Sequence, residues 1–331
     1  MKHILETLYH YGTLTKNDAQ YALQQLALGA CNESQAAAFL SAYIMRRPSV
    51  AELEGFRDAM MALCIPLDFA GYEAIDIVGT GGDGKNTFNI STLSAIVTAA
   101  AGVPVIKHGN YAASSVSGSS NVLEHLGYVF SERQERLATQ LEQANICFVH
   151  APLFHPAMKQ VAMVRKNMGV RTFFNLLGPL INPAQPKNQL LGVNSLETGR
   201  MYHYLLQETG RRYTIVHSLD GYDELSLTGA FKLISTAQER LCLPADLGLE
   251  QVAPEALQSG DSIAAAANIF IAVLQGKGTK AQRAVVVANA ALALHCARPD
   301  QSFADCLGLA VEALDSLKAY QTFQTLLKQP I

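Results

Sequence analysis

The sequence predicts an α/β protein: a small all-helical N-terminal domain, residues 1–70, then a large α/β domain, residues 71–331, with a mostly parallel central sheet flanked by helices. Three observations lead there. The first seventy residues carry helix-start signals and helical apolar spacing. From residue 75, short runs rich in Val and Ile alternate with helical segments. A glycine-rich loop joins the first such run to the helix after it. With 331 residues, 49% apolar and 16% charged, the chain can bury a sizeable core and falls outside disordered composition.

Three capping boxes order the helical domain. Thr15 with Asp18 opens "AQYALQQLALG", imperfectly, because Asp stands where Glu or Gln is usual. Asn32 with Gln35 precedes "AAAFLSAYIMRR", and Ser49 with Glu52 precedes "LEGFRDAMMAL". Gly29 fits a helix C-terminus and Pro48 a stop. Apolar positions 22, 23 and 26, then 53, 56, 60 and 63, recur on one helical face.

Beyond residue 75, "IDIVG", "VPVIKHG", "ICFVHA", "LLGV" and "YTIVHS" read as strands, and "ERLCLP" is a candidate sixth. Helices are expected over 91–101, 115–126, 131–145 and 197–209. From "SIAAAANIFIAVLQGKGTKAQRAVVVANAALALHC" onward the pattern is helical again. There is no internal repeat and no low-complexity linker.

Composition narrows the function classes. The net charge of −3 favours no nucleic-acid partner. Six scattered cysteines (31, 64, 147, 242, 296, 306) form no CxxC and no metal-spaced pair with histidine, as in a cytosolic protein with reduced thiols. "MKHILETLYHYGTL" lacks the apolar centre of a signal peptide, and no run reaches the length of a membrane span. The expectation is a cytoplasmic protein acting on small molecules.

The chemistry concentrates in "DIVGTGGDGKNTFNIST", Asp76 to Thr92. Gly79, Gly81 and Gly84 satisfy G-x-G-x-x-G after a strand. A dinucleotide fold would also need an acidic residue after the second strand, and Lys107 and His108 stand there instead. Gly79 to Lys85 matches most of a P-loop, but Asn86 replaces the magnesium-binding hydroxyl. The third reading uses the whole stretch: glycine amides approach one anion, and a helix opening near "NIST", capped by Asn89, Ser91 or Thr92, presents a second anion site. Two such sites suit a ligand phosphorylated in two places. A tight turn before an ordinary capped helix is the plainer alternative.

"GTGGDGKNTFNIST" followed by "KHGN" and "SSVSG", then "VRKNMGVRTFFNLLGPLINP" and "DGYDELSLTG", resembles the anthranilate phosphoribosyltransferase family. The motifs stand in order, and the resemblance covers nearly the whole chain. It implies a nucleoside phosphorylase/phosphoribosyltransferase-like fold, and a homodimer through the helical domain with a contribution from about 163–183. It implies transfer of 5-phosphoribose from phosphoribosyl pyrophosphate to the amine of anthranilate, with Mg²⁺, in tryptophan biosynthesis. By position, it assigns phosphoribosyl pyrophosphate to Gly79, Gly82, Asp83, Thr87, Asn89, Ile90, Ser91, Thr92, Lys107, His108, Gly109, Asn110, Ser114, Ser115 and Ser119. Magnesium falls to Ser91, Asp223 and Glu224, and anthranilate to Gly79, Asn110, His155 and Arg165. Asp83, Lys107, Asp223 and Glu224 carry the catalytic expectation.

Elementary chemistry fits those assignments. The departing diphosphate must be stabilised, and Mg²⁺ prefers carboxylate and phosphate oxygens. The adjacent Asp223 and Glu224 would face opposite ways on a strand but can converge in a loop. Lys107 ends a strand, where parallel-sheet ligands collect. His108 is open to two readings, substrate donor or satisfied structural histidine. An aromatic amine is neutral at pH 7, so no strong base is called for. Anthranilate's carboxylate needs a cation, and Arg165 offers a fork of donors. "HAPLFHPAM" places His150 and His155 without a third ligand for zinc, and His155 is expected to border the acceptor pocket. The chain departs from the family pattern at Tyr111, where Arg is usual, and at Ser120 and Asn121, where Ala-Asp is common. Two other functions share the architecture: a pyrimidine nucleoside phosphorylase, whose glycine loop differs, and a nucleic-acid-binding relative, which would need a basic stripe.

Overall fold

A computed structural model describes residues 1–111 and 117–328. The chain divides into two compact units, Met1–Leu67 with Ala151–Gln185, and Asp68–His150 with Pro186–Ile331.

The first unit is helical. Helices Lys2–Tyr9, Lys16–Ala27, Glu33–Met45 and Val50–Ala62 are joined by Ala151–Phe154 and Met158–Met168. Each expected cap forms: the Thr15, Asn32 and Ser49 side chains accept from the Asp18, Gln35 and Glu52 amides. Gly29, at φ +70°, lies just past the end of Lys16–Ala27, in the left-handed region that favours glycine. Phe39, Phe56 and Phe173 meet in the core, with Phe56 and Phe173 stacked at 4.3 Å. The Glu52 carboxylate is fully buried and accepts from Arg46 Nη2 (2.6 Å), Tyr43 Oη (2.9 Å) and the Leu14 amide (2.8 Å). These donors offset its desolvation.

The second unit is built on one seven-stranded sheet. Its strands are β1 (Ile75–Gly79), β2 (Val105–Gly109), β3 (Ile146–His150), β4 (Asn188–Gly192), β5 (Arg212–Ser218), β6 (Phe231–Ser235) and β7 (Glu239–Cys242). Their order is β3-β2-β1-β4-β5-β6-β7. The first five strands pair in parallel, while β6 and β7 extend the sheet antiparallel. The sequence pattern reveals every strand except β6. "FKLIS" carries Lys232 and is buried only at Phe231 and Ile234, so it lacks the continuous apolar signature of the parallel strands. Helices Ile90–Ala100 and Lys280–Ala297 are apolar almost all round and belong to the core of this unit.

The strand order reverses between β1 and β4. The chain leaves β1 to build one half of the sheet and returns to β4 to build the other. In parallel sheets the loops at the carboxyl ends diverge at such a point, where ligands collect. The glycine loop leaves β1 at that point, and the acidic turn follows β5, on the other side of β4.

Candidate functional site

Three segments of the second unit converge at the switch point. The glycine loop supplies backbone conformations that side chains disfavour: Gly81, Gly82 and Gly84 lie at φ +66°, +75° and +73°, and Asn86 at +50°. The loop is held from both sides. Asn194, just past β4, donates to the Gly81 carbonyl at 3.0 Å. On the far side, the Ser259 amide donates to the Asn86 carbonyl (2.9 Å), and the Phe88 amide to the Leu257 carbonyl (2.9 Å).

The acidic turn faces this loop. Asp223 Oδ2 accepts from the Gly81 amide at 2.6 Å, and Glu224 Oε1 from the Ser91 amide at 3.0 Å. The fit requires two glycines at strand ends: a Cβ on Gly79 would run into the Asp223 carboxylate, and one on Gly192 into its carbonyl. A buried polar scaffold fixes the turn. Ser218 Oγ donates to the Glu224 carbonyl (2.7 Å), and the Asn289 side chain pairs with both the N–H (3.1 Å) and the C=O (2.8 Å) of Leu225.

The turn carries more charge than its surroundings neutralise. Burial raises the Asp223 carboxyl to about 7, and the neighbouring Asp83 carboxylate adds to the rise. Burial likewise pushes Glu224 well above the usual range, reinforced by Asp223. Glu224 Oε2 is buried with no hydrogen-bond partner. An orphaned carboxylate oxygen among crowded acids is a fit site for a divalent cation. Among the described residues no three His, Cys, Asp or Glu side chains form a complete metal cage. That matches an ion that binds one or two carboxylates and takes its remaining ligands from phosphate and water.

Lys107, near the end of β2, is buried and reaches the Ile77 carbonyl, with Ser91 Oγ 3.5 Å from Nζ. Desolvation lowers its pKa, opposed by Asp76, Glu224 and Asp223. His108 is also buried, and its amide donates to the fully buried Asp76 carboxylate at 3.1 Å. Gly109 packs so closely on Ser119 that an added Cβ would lie 2.7 Å from Oγ. Asn110 is exposed, and its carbonyl accepts from Ser119 Oγ and from the Ser120 amide, both at 3.3 Å.

Not every expected residue sits as the sequence implied. Helix Ile90–Ala100 has Asn89 at its N-cap position without a side-chain cap bond, and Ser91 and Thr92 lie inside the first turn. Asn89 Nδ2 instead donates to the Ser117 carbonyl (3.4 Å), and Glu224 accepts the Ser91 amide that a local cap would have taken. Ile90 is a core side chain, so only its backbone faces the loop. Thr92 Oγ1 is buried without a partner, and Thr87 forms a bridge with Gln258. Asp83 Oδ1 accepts from the Lys85 amide at 3.1 Å. Gly82 is partly buried within the loop. Ser114 and Ser115 lie outside the described residues. Sequence reasoning missed Lys85, whose ammonium lies 4.7 Å from the Tyr222 ring centre and ties loop to turn. It also missed the strap 257–260 and Asn289, which bear no local motif.

Two expected residues belong to the first unit. Arg165 lies over the Phe174 ring at 4.9 Å, with Asn175 Oδ1 3.5 Å from Nη2, and burial lowers its pKa. A partly buried guanidinium with no carboxylate ion pair among the described residues has donors to spare for an anion. His155 is buried, bonds the Ile181 carbonyl through Nε2 at 3.0 Å, and is pushed down to about 4 by desolvation, so it is neutral at pH 7.

The chain matches the model of the glycosyl transferase family a/b domain over residues 71–320, and that of the family's helical bundle domain over 2–64. It is 51% identical over 328 residues to an anthranilate phosphoribosyltransferase of Cytophaga hutchinsonii, covering 99% of this chain and 100% of the relative. Its fold is similar to the crystal structure of anthranilate phosphoribosyltransferase from Thermus thermophilus, with TM-score 0.91, 35% identity and 98% of both chains covered. It is also similar to the Saccharomyces cerevisiae enzyme in complex with PRPP and Mg, with TM-score 0.90, 25% identity, and 99% of this chain and 96% of that chain covered.

Proposed function

We propose that this chain, which belongs to the anthranilate phosphoribosyltransferase family, uses its glycine loop and acidic turn to transfer 5-phosphoribose from phosphoribosyl pyrophosphate to the amine of anthranilate. The reaction is that of a pentosyltransferase and gives N-(5-phosphoribosyl)anthranilate and pyrophosphate, a step of tryptophan biosynthesis. The observation that carries the assignment of residues is the facing of the acidic turn and the glycine loop, with Asp223 on the Gly81 amide and Glu224 on the Ser91 amide.

Asp223, Glu224 and the Ser91 hydroxyl would hold Mg²⁺, as the orphaned Glu224 Oε2 supports. Bound there, the ion supplies positive charge for the diphosphate oxygens. The chain's own groups do the rest. As the bond from ribose C1 to the diphosphate oxygen breaks, the leaving group gains negative charge, which glycine-loop amides beyond Thr80, whose own N–H is taken by the Gly192 carbonyl, and the N-terminus of helix Ile90–Ala100 would take up. Lys107 Nζ, 3.5 Å from Ser91 Oγ, offers a donor beside that N-terminus. The amine nitrogen of anthranilate forms the new bond to C1 as the C1–diphosphate bond breaks, and its proton passes to the departing pyrophosphate or to water. Arg165 binds the anthranilate carboxylate, and positioning supplies much of the rate, roughly 7–11 kcal/mol where geometry is well held. Gly79, Asn110 and His155 are assigned to anthranilate by the same family likeness.

The reading extends to assembly and place of action. Tyr9, Tyr11, Tyr21, Leu28 and Met45 of the helical unit are large apolar side chains in water, which supports a homodimer formed there. No described helix is long and apolar enough to cross a membrane; we place the enzyme in the cytoplasm. The test of function is the loss of anthranilate fluorescence on mixing with phosphoribosyl pyrophosphate and Mg²⁺. Continuous loss is expected, and none under any metal condition refutes the assignment. Phosphorolysis of thymidine or uridine in the same setting would point to the nucleoside phosphorylase reading instead.

A further inference from the structure

Tyr111 is 43% exposed at the end of β2, yet three contacts fix it. Its hydroxyl donates to Glu124 Oε1 at 2.7 Å. Its ring meets His150 edge-on at 4.8 Å. Its amide donates to the side chain of the preceding residue, Asn110 Oδ1, at 2.7 Å. His150, the last residue of β3, is buried, stacks on Phe130 at 4.4 Å, and lies 2.9 Å through Nδ1 from Ser120 Oγ. The circuit closes on Asn110, whose carbonyl accepts from the Ser120 amide and from Ser119 Oγ. Five side chains thus connect the ends of β2 and β3 and the first turns of helix Ser119–His125 to one exposed asparagine.

We infer that Tyr111 and His150 are positioning residues that hold Asn110 in the conformation in which it meets substrate; this rests on the proposed function, which places Asn110 at the substrates. The energetics favour a role in placement over one in stability. The Tyr111–Glu124 bond is on the surface, so it adds little to folding. Asn110 is exposed, and its side chain has no described contact beyond the Tyr111 amide. Its orientation therefore depends on where Tyr111 sits. An exposed asparagine left to itself would sample several rotamers, and fixing it in advance removes an ordering cost from binding.

Steady-state kinetics on Tyr111→Ala, Tyr111→Phe, Ser120→Ala, Asn110→Ala and the double variant Asn110→Ala/Tyr111→Ala test this, with thermal unfolding of each as a control. Tyr111→Ala is expected to raise the anthranilate KM about tenfold with kcat within about twofold, the size of coupling usual inside one contact network. Tyr111→Phe keeps the ring on His150 and should recover most of that loss. Ser120→Ala, which frees His150, should move KM the same way. In the Asn110→Ala background, Tyr111→Ala should have no further effect. If Asn110→Ala lowers activity but Tyr111→Ala and Ser120→Ala leave KM unchanged, the inference is overturned and the proposed function stands. It is overturned in the same way if the losses of the two single variants multiply in the double variant. If Asn110→Ala itself changes nothing, the placement of Asn110 at the substrates fails, and this inference falls with it.

Discussion

Asp223 and Glu224 are neighbours in sequence, yet each reaches a different part of the glycine loop, and that divergence gives sharp expectations for single substitutions. Burial raises the Asp223 carboxyl to about 7, so its contribution to stability is present in acid and lost as pH rises through about 7. Asp223→Asn should therefore unfold at a higher temperature than the metal-free parent at pH 8, while its magnesium requirement rises by at least about tenfold. Calorimetry and a magnesium titration of activity check the two halves. Gly192→Ala places a methyl group on the Asp223 carbonyl and must displace the turn; a shift of about 1 Å there is expected to cost on the order of 100-fold in kcat. Arg165→Ala should chiefly raise the anthranilate KM, and an unchanged KM would remove Arg165 from its role. Much at this scale was legible from motifs, because close backbone approach demands glycine and metal demands acid. Tyr111 and Ser120 were visible only as departures from a pattern. Their meeting at His150 depends on a strand 30 to 40 residues further on, which no local spacing encodes.

At the scale of elements, capping was legible because its donors and acceptors are three residues apart. Glu52 shows what such a box conceals. As the capping residue it looks like a surface acid, but it is buried under Arg46, Tyr43 and the Leu14 amide. Burial alone would raise its pKa. The hydrogen bonds from Arg46, Leu14, Ser49 and Tyr43 outweigh that and hold it below the usual range. A lowered carboxyl contributes stability above its unfolded pKa and loses it as pH falls through the folded one. Glu52→Ala is expected to cost about 3 kcal/mol at pH 7, the lower end for a broken buried pair because water still reaches part of Arg46. Denaturant unfolding should show the gap from the parent closing in the acid range below the ordinary glutamate pKa. The strand β6 was missed for the opposite reason. Antiparallel pairing on β5 stabilises a segment whose own pattern is too polar to declare itself.

Over the whole molecule, the alternation of strands and helices made the parallel half of the sheet legible, and the strand order reverses between β1 and β4, the kind of point at which ligands of parallel sheets collect. Residues 151–185 group with the helical unit through packing between segments about a hundred residues apart, which no local pattern encodes. Light scattering on the intact protein should give twice the mass of 35.7 kDa if the apolar side chains of the helical unit pair two copies. The Gly81 and Ser91 amides donate to carboxylates, whose negative oxygens resemble those that a diphosphate would present. In the proposed reaction these amides and the acidic turn together receive the leaving group. A crystal structure of this protein with phosphoribosyl pyrophosphate and Mg²⁺ would show whether they do. Diphosphate oxygens are expected about 2.7–3.1 Å from amides between Gly79 and Thr92, and a metal about 2.0–2.1 Å from oxygens of Asp223 or Glu224. A diphosphate bound elsewhere, with Asp223 and Glu224 still on the Gly81 and Ser91 amides, would contradict that proposal.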